Sequence, residues 1–197
     1  MNRNHFDRWM GLVALVAFVL ALAWASHASE WTPRHALAVA GARDTPGALV
    51  FNLLAFIVPG AALLAAALWR RWHSRDASGM ATGIALWLLA IAALAWFALG
   101  LSPIDAGDLA GEGGQHHAAL WMLWLIAVSA ATVALVIAAA PGQRGMMGVL
   151  AVLWFVAVFV LPVLLGGWAQ ALAALAWMAW PLTAPAHICI MTGSARP

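Results

Sequence analysis

The chain has no lysine, no tyrosine and a single cysteine, Cys189, and charged residues make up only 8% of its 197 positions. One cysteine excludes an internal disulfide and a thiolate metal cluster. So little charge, beside 65% hydrophobic residues and a mean hydropathy of +0.93, excludes an ordinary soluble domain, where roughly a quarter of the residues are charged. The arginines are scattered through short connections and form no basic stripe, so the isoelectric point near 10.0 does not indicate nucleic acid. No Asp, Glu, Arg or His falls near the middle of an apolar run. Ion-coupled transporters and proton pumps commonly keep an ionisable group at that depth, where an isolated charge is costly, so this mechanism loses much of its ground.

What the chain has in abundance is long apolar runs. Six segments, at about 9–28, 48–69, 79–100, 118–140, 146–165 and 168–188, reach the roughly 17–25 residues that cross a hydrocarbon core. Their apolar residues run all the way round a helix, as lipid contact requires. The expected fold is all-α, a polytopic six-helix membrane bundle forming one transmembrane domain over residues 1–197. The first segment also resembles a signal peptide, whose removal would leave five spans. Its apolar run exceeds an h-region of about 7–15 residues, and Trp9 and Trp24 bracket it like interface anchors, so it is read as a retained span.

The connections orient the bundle. Arg3, Arg8, Arg70, Arg71, Arg75, Arg144 and Arg196 fall on alternate connections that share one side, leaving Arg34 and Arg43 for the other. The positive-inside tendency then places both termini in the cytoplasm. Glu30, Asp44, Asp105, Asp108 and Glu112 fall outside, and Asp7 and Asp76 inside. Of thirteen tryptophans, Trp9, Trp24, Trp31, Trp69, Trp72, Trp121, Trp168 and Trp180 lie near predicted span ends, where an indole meets acyl chains with its face and headgroups with its N–H. Trp87, Trp96, Trp124, Trp154 and Trp177 fall deeper and are read as packing residues. Gly79 and Gly83 have the spacing of a close helix crossing. Pro59 and Pro162 can each kink a span, and a kink at Pro59 frees the carbonyl of Ala55. Thr82, Ser129 and Thr132 are expected to bond back to their own helices.

Polar side chains collect at the outer ends. Asn52 lies about one turn into the second span and Gln170 at similar depth in the sixth. The stretch SPIDAGDLAGEGGQHHA, residues 102–118, adds Asp105, Asp108, Glu112, Gln115, His116 and His117. An outward-facing pocket built from Asn52, Asp105, His116 or His117 and Gln170 is the sharpest site hypothesis. Asp105 with His117 has the makings of an acid–base pair, yet no GxSxG elbow or other nucleophile accompanies it. A metal site lacks any strong ligand spacing, because adjacent histidines point in different directions, although His27 and His35 in the first outer loop are available to complete one. In the bland alternative Asp105 caps a turn and the histidines mark the wet entrance to the fourth span. The basic RRWHSRD, residues 70–76, suits anionic headgroups, and His187 with Cys189 defines no metal site.

The outer-side PGALVFN, GLSPIDA at the end of span three, QHHAAL and GGWAQAL together resemble the six-span bacterial and archaeal membrane-protein family catalogued as domain of unknown function 998. The similarity covers about residues 10–187, with Phe51-Asn52, Pro103/Asp105 and His116 or His117 at the family's Phe-Asn, Pro-x-Asp and His positions. Ser102 replaces its usual aromatic residue and Ala171 its frequent basic one. The resemblance implies an inner-membrane protein with six helices, no established activity, and Asn52, Asp105, His116/His117 and Gln170 belonging together. The expected partners are membrane lipids, with a small molecule or a membrane-protein partner besides, and neither a cofactor nor nucleic acid is expected. A small transporter, with a polar cavity running inward past Asn52, and a membrane enzyme using Asp105 and His117 are the competing functions.

Overall fold

A computed structural model describes residues 5–28, 31–32, 35–73, 79–165 and 167–183, and the regular structure among them is helical. Arg3, Glu30, Arg34, Arg75, Asp76, His187, Cys189 and Arg196 lie outside the described residues. The helices are α1 (Phe6–Ala28), the short α2 (Leu37–Ala40), α3 (Ala48–His73), α4 (Met80–Leu101), α5 (Glu112–Ala138), α6 (Arg144–Leu165), α7 (Gly167–Met178) and α8 (Trp180–Thr183). Five of them, α1, α3, α4, α5 and α6, are long and apolar enough to cross a membrane.

The segment expected at 168–188 is built differently. Helix α7 has 12 residues, an axial rise of about 18 Å, and breaks at Ala179 before α8. Pro181 accounts for the break, since it has no N–H for the carbonyl of Trp177 and its ring crowds that position. Residues 184–188 of the expected span lie outside the described residues.

Neighbouring helices pack in chain order, α1 on α3, α3 on α4, α4 on α5, α5 on α6 and α6 on α7, and α7 and α8 return to α1. Lipid tails are as apolar as leucine, so close packing of small side chains rather than hydrophobicity must join such helices. Helix α1 does this with Gly11, Ala14, Ala17, Phe18, Ala21 and Ala25 on one buried stripe. Its Trp9, Val16, Val19 and Leu20 face outward.

Helix α3 carries the decisive irregularity. Pro59 cannot donate to the carbonyl of Ala55, and the turn before it, Leu53–Ile57, widens to π geometry. The indole N–H of Trp96 on α4 takes the freed carbonyl at 2.9 Å in a buried bond. Trp96 is fully buried and anchors the aromatic interior, with ring centroids 5.2 Å from Phe56, 4.8 Å from Trp124 and 5.3 Å from Trp177. In α6 a second π turn, Val156–Val160, again ends two residues before a proline, Pro162.

Helices α3 and α4 meet at glycines. A Cβ on Gly60 would lie 2.6 Å from the backbone nitrogen of Phe97, and one on Gly100 would lie 2.7 Å from Ile57 Cγ1. Among the described residues nothing crosses at Gly79 and Gly83, where the close approach was expected: Gly79 has nothing within 4 Å, and Gly83 only Arg71 Nε at 4.0 Å. The close approach is set by the Ala55–Trp96 bond, which lies far along α4 from those two residues.

At the opposite end from α2, Arg70 donates to Asp7 from both Nε and a terminal nitrogen. It also donates to the carbonyl of Pro181 at 3.0 Å and lies 5.0 Å over the Trp180 ring. Arg70, expected to face headgroups, thus binds α1, α3 and α8 to one another. Of the deeper tryptophans, Trp96, Trp124, Trp154 and Trp177 are buried, whereas Trp87 faces outward. The Thr132 hydroxyl bonds back to Val128 O at 2.8 Å, as expected. Ser129 instead accepts the Trp154 indole N–H at 3.2 Å.

Gly60→Ala and Gly100→Ala are each expected to lower stability by roughly 1–3 kcal/mol, because a methyl group there meets backbone or a tightly held neighbour. Gly83→Ala should leave stability unchanged or raise it by up to about 1 kcal/mol through helix propensity. Unfolding midpoints in detergent micelles measure the difference, and equal losses at all three positions would contradict the crossing.

Candidate functional site

The short helix α2 is suspended by polar side chains from distant elements. At its start the backbone N–H of Leu37 donates to Gln170 Oε1 of α7 at 3.0 Å. Just past its end the carbonyl of Gly41 accepts from Asn52 Nδ2 of α3 at 2.8 Å in a buried bond. A Cβ on Gly41 would sit 2.1 Å from Asn52 Oδ1, so this approach requires glycine. The flanking chain is tied down by Trp31 Nε1 to Ala36 O (3.2 Å), Thr45 Oγ1 to Val39 O (3.0 Å) and Trp24 Nε1 to Gly47 O (3.3 Å). Gly47, at φ 76°, turns the chain into α3. Arg43 N donates to Ile104 O at 2.9 Å and joins this loop to the one between α4 and α5.

That second loop holds the remaining expected residues. Asp105 is exposed and its Oδ1 accepts the Gly107 N–H at 2.8 Å, a local turn bond. Helix α5 begins at Glu112, six residues before the expected 118, with the extended Gly111 ahead of it and an acid in its first turn that suits the positive end of the helix dipole. His116 and His117 therefore lie within the helix, about 100° apart around it. His116 is exposed and His117 is 7% exposed. His117 Nδ1 is 3.0 Å from Ser102 O. A carbonyl only accepts, so Nδ1 carries the hydrogen and donates. The other ring nitrogen, Nε2, is buried with no hydrogen-bond partner, and the ring lies edge-on to Phe56 with centroids 6.2 Å apart.

The five residues expected to form a pocket share one end of the bundle but do different work. Asn52 and Gln170 act together, one at each end of α2. His117 fastens the end of α4 to α5, while Asp105 and His116 face outward. Asp105 and His117 are not hydrogen-bonded to each other; each has a backbone partner. Beneath Asn52 the bundle is filled by Phe51, Phe56 and Trp96, none more than 1% exposed.

A concavity lies elsewhere, in the first loop, with Val39 of α2 in its wall. An open bowl of about 700 Å³ is lined by His27, Trp31, His35, Val39, Asp44 and Thr45, together with Ala28 and Pro46. The Trp31 indole N–H and the Thr45 hydroxyl are engaged by the backbone. His35 Nδ1 accepts from the Thr32 N–H at 3.3 Å, so its Nε2 carries the hydrogen and can donate. His27, in the last turn of α1, and Asp44 are exposed. The sequence pointed to His27 and His35 as available ligands, but nothing in the spacing brought Asp44 beside them; folding of the loop over α2 does. Among the described residues no three His, Cys, Asp or Glu side chains are grouped to hold a metal ion. No family model matches this chain, and neither a curated protein nor a solved structure does.

Asn52→Ala leaves the buried Gly41 carbonyl unpaired and should cost roughly 1–3 kcal/mol. Faster hydrogen exchange across residues 37–47 is expected in Asn52→Ala and Gln170→Ala, with no change there in Asp105→Ala. Mass-resolved exchange on the purified protein reads this directly, and a uniform response to all three substitutions would contradict a suspended α2.

Proposed function

We propose that this chain is a six-span inner-membrane protein with both termini in the cytoplasm, and that its outer face holds a lipid headgroup or small polar molecule in the bowl beside α2. Helices α7 and α8 supply the sixth crossing. The arginine asymmetry supports the orientation, since Arg8, Arg70, Arg71 and Arg144 fall at the end remote from α2. The resemblance carried by Phe51-Asn52, Pro103 and Asp105 favours the same six-span reading. Asn52 and Gln170 are assigned a positioning role, holding the wall of the bowl, and Asp105, His116 and His117 shape the neighbouring loop.

The observation that carries this reading is the bowl itself. Its unengaged polar groups, His27, His35 Nε2 and Asp44, lie at the mouth of α1 and α3, the level at which headgroups meet a bundle. Two imidazoles and a carboxylate around an open concavity, with apolar walls from Val39 and Trp31, suit a ligand that is polar on one side and rooted in the membrane on the other.

Two measurements test it. In a Cys189→Ser background, Asp44→Cys and Asp108→Cys should react with a membrane-impermeant maleimide on intact cells, and Gly142→Cys only after lysis. The reverse pattern overturns the orientation. A photo-crosslinking residue at His35 should capture a lipid or small molecule in cells, while the same residue at the lipid-facing Val163 gives a different adduct profile. Identical profiles would remove the bowl as a specific site.

A further inference from the structure

The geometry points to a zwitterionic ligand for the bowl, a phosphate joined by a short linker to a primary ammonium, with the phosphate held by His27 and His35 and the ammonium by Asp44. The inference rests on the reading of the bowl as a headgroup site and specifies its chemistry. Trp31 and Thr45 have their polar hydrogens committed to Ala36 O and Val39 O, which leaves, among the described residues, the two imidazoles and the Asp44 carboxylate as the lining groups with polar capacity to offer. His35 presents Nε2–H because its Nδ1 accepts from Thr32. The His27 ring stands in the last turn of α1 and carries at least one ring N–H in either protonation state. Both are suited to an oxyanion, and a phosphate offers more acceptor oxygens than a carboxylate for two donors.

Asp44 makes the site two-signed. It lines the same bowl but forms no ion pair with His27 or His35, the ion pair among the described residues being Arg70 with Asp7 at the far end. A purely anionic headgroup would meet Asp44 as a repulsive neighbour, whereas an ammonium on the same ligand turns it into a partner. Arg43 precedes Asp44 in the chain but does not line the bowl. The two sources of this chemistry are the headgroup of phosphatidylethanolamine and a free phosphoethanolamine.

The test uses the full chain in nanodiscs, with retention of phosphatidylethanolamine and phosphatidylglycerol compared by native mass spectrometry. Wild type should retain the former about threefold over the latter, the preference expected of one exposed charge contact. Asp44→Asn should abolish that preference with phosphatidylglycerol retention unchanged or raised. The double variant His27→Gln/His35→Gln should lower retention of both lipids by about tenfold, two charge-assisted contacts being lost. The unfolding midpoint should be unaltered in Asp44→Asn, since Asp44 is exposed. In a second arm, calorimetric titration with glycerophosphoethanolamine separates the sources: binding lost in Asp44→Asn supports a soluble ligand, and no binding beside lipid selectivity supports the lipid. Equal retention of the two lipids by wild type, or a preference untouched by Asp44→Asn, overturns the zwitterion while leaving a headgroup site. Lipid and soluble binding indifferent to all three residues overturns both the inference and the reading beneath it.

Discussion

A backbone carbonyl inside a lipid-embedded helix has no water to turn to, and the arrangement of this bundle follows from how one such carbonyl is satisfied. Pro59 orphans Ala55 O, and only another protein group can repair that loss. Trp96 does so at 2.9 Å, which fixes α4 against α3 at one height and rotation. The same bond requires the two backbones to come close, and Gly60 and Gly100 make that possible. With its N–H pinned, the Trp96 ring is presented to Trp124 of α5 and Trp177 of α7. A single unpaired carbonyl therefore organises four helices. The indole nitrogens of Trp124 and Trp177 have no hydrogen-bond partner. Their rings meet T-shaped at 5.6 Å and 78°, an arrangement in which edge and face attract.

Much of the helical layout was legible because it follows from bulk chemistry. Apolar length fixed five crossings to within a few residues at most ends, and the missing N–H of Pro59 identified Ala55 as the carbonyl in need of a partner. The partner itself was not legible. Trp96 was one of five deep indoles, and Trp87, nine residues earlier on the same helix, looked equivalent in sequence yet faces outward. Rotation of α4 decides between them, and rotation is set by the packing of Gly100 and Gly60 rather than by hydropathy. Glycine spacing favoured Gly79 and Gly83 for the same reason that it misled: the spacing records that backbones can approach, not that a neighbour is present. The start of α5 was placed too late because Glu112 through His117 are polar, whereas a helix end in the interface accepts polar residues freely.

The candidate site was legible as a location and not as an arrangement. Asn52 and Gln170 stood out as polar groups one turn below an apolar rim, and both lie at the α2 end, but an amide at that depth is first claimed by the nearest unpaired backbone group. Leu37 N–H and Gly41 O are such groups, buried at either end of a four-residue helix too short to satisfy itself. His117 shows the same precedence, with Ser102 O taking its Nδ1 hydrogen. Side chains that appear functional by their scarcity thus become structural by their depth, whereas His27, His35 and Asp44 are exposed around the open bowl.

The two ends of the bundle are fastened by different chemistry, and that difference bears on where function can reside. At the Arg70 end a charge pair and a carbonyl hold α1, α3 and α8, so Arg70 and Asp7 are already engaged. Removing either member of such a partly buried pair leaves an uncompensated charge, which constrains any further role for it. At the α2 end the bonds that suspend α2 come from neutral amides, and Arg43 contributes its backbone N–H rather than its guanidinium to the link with Ile104. Of the ionisable groups around the bowl, His35 makes a local bond to Thr32 through Nδ1, and none takes part in the bonds that suspend α2. Their exposure can vary with a bound ligand without loosening the helices, because the bonds that hold α2 in place do not involve them.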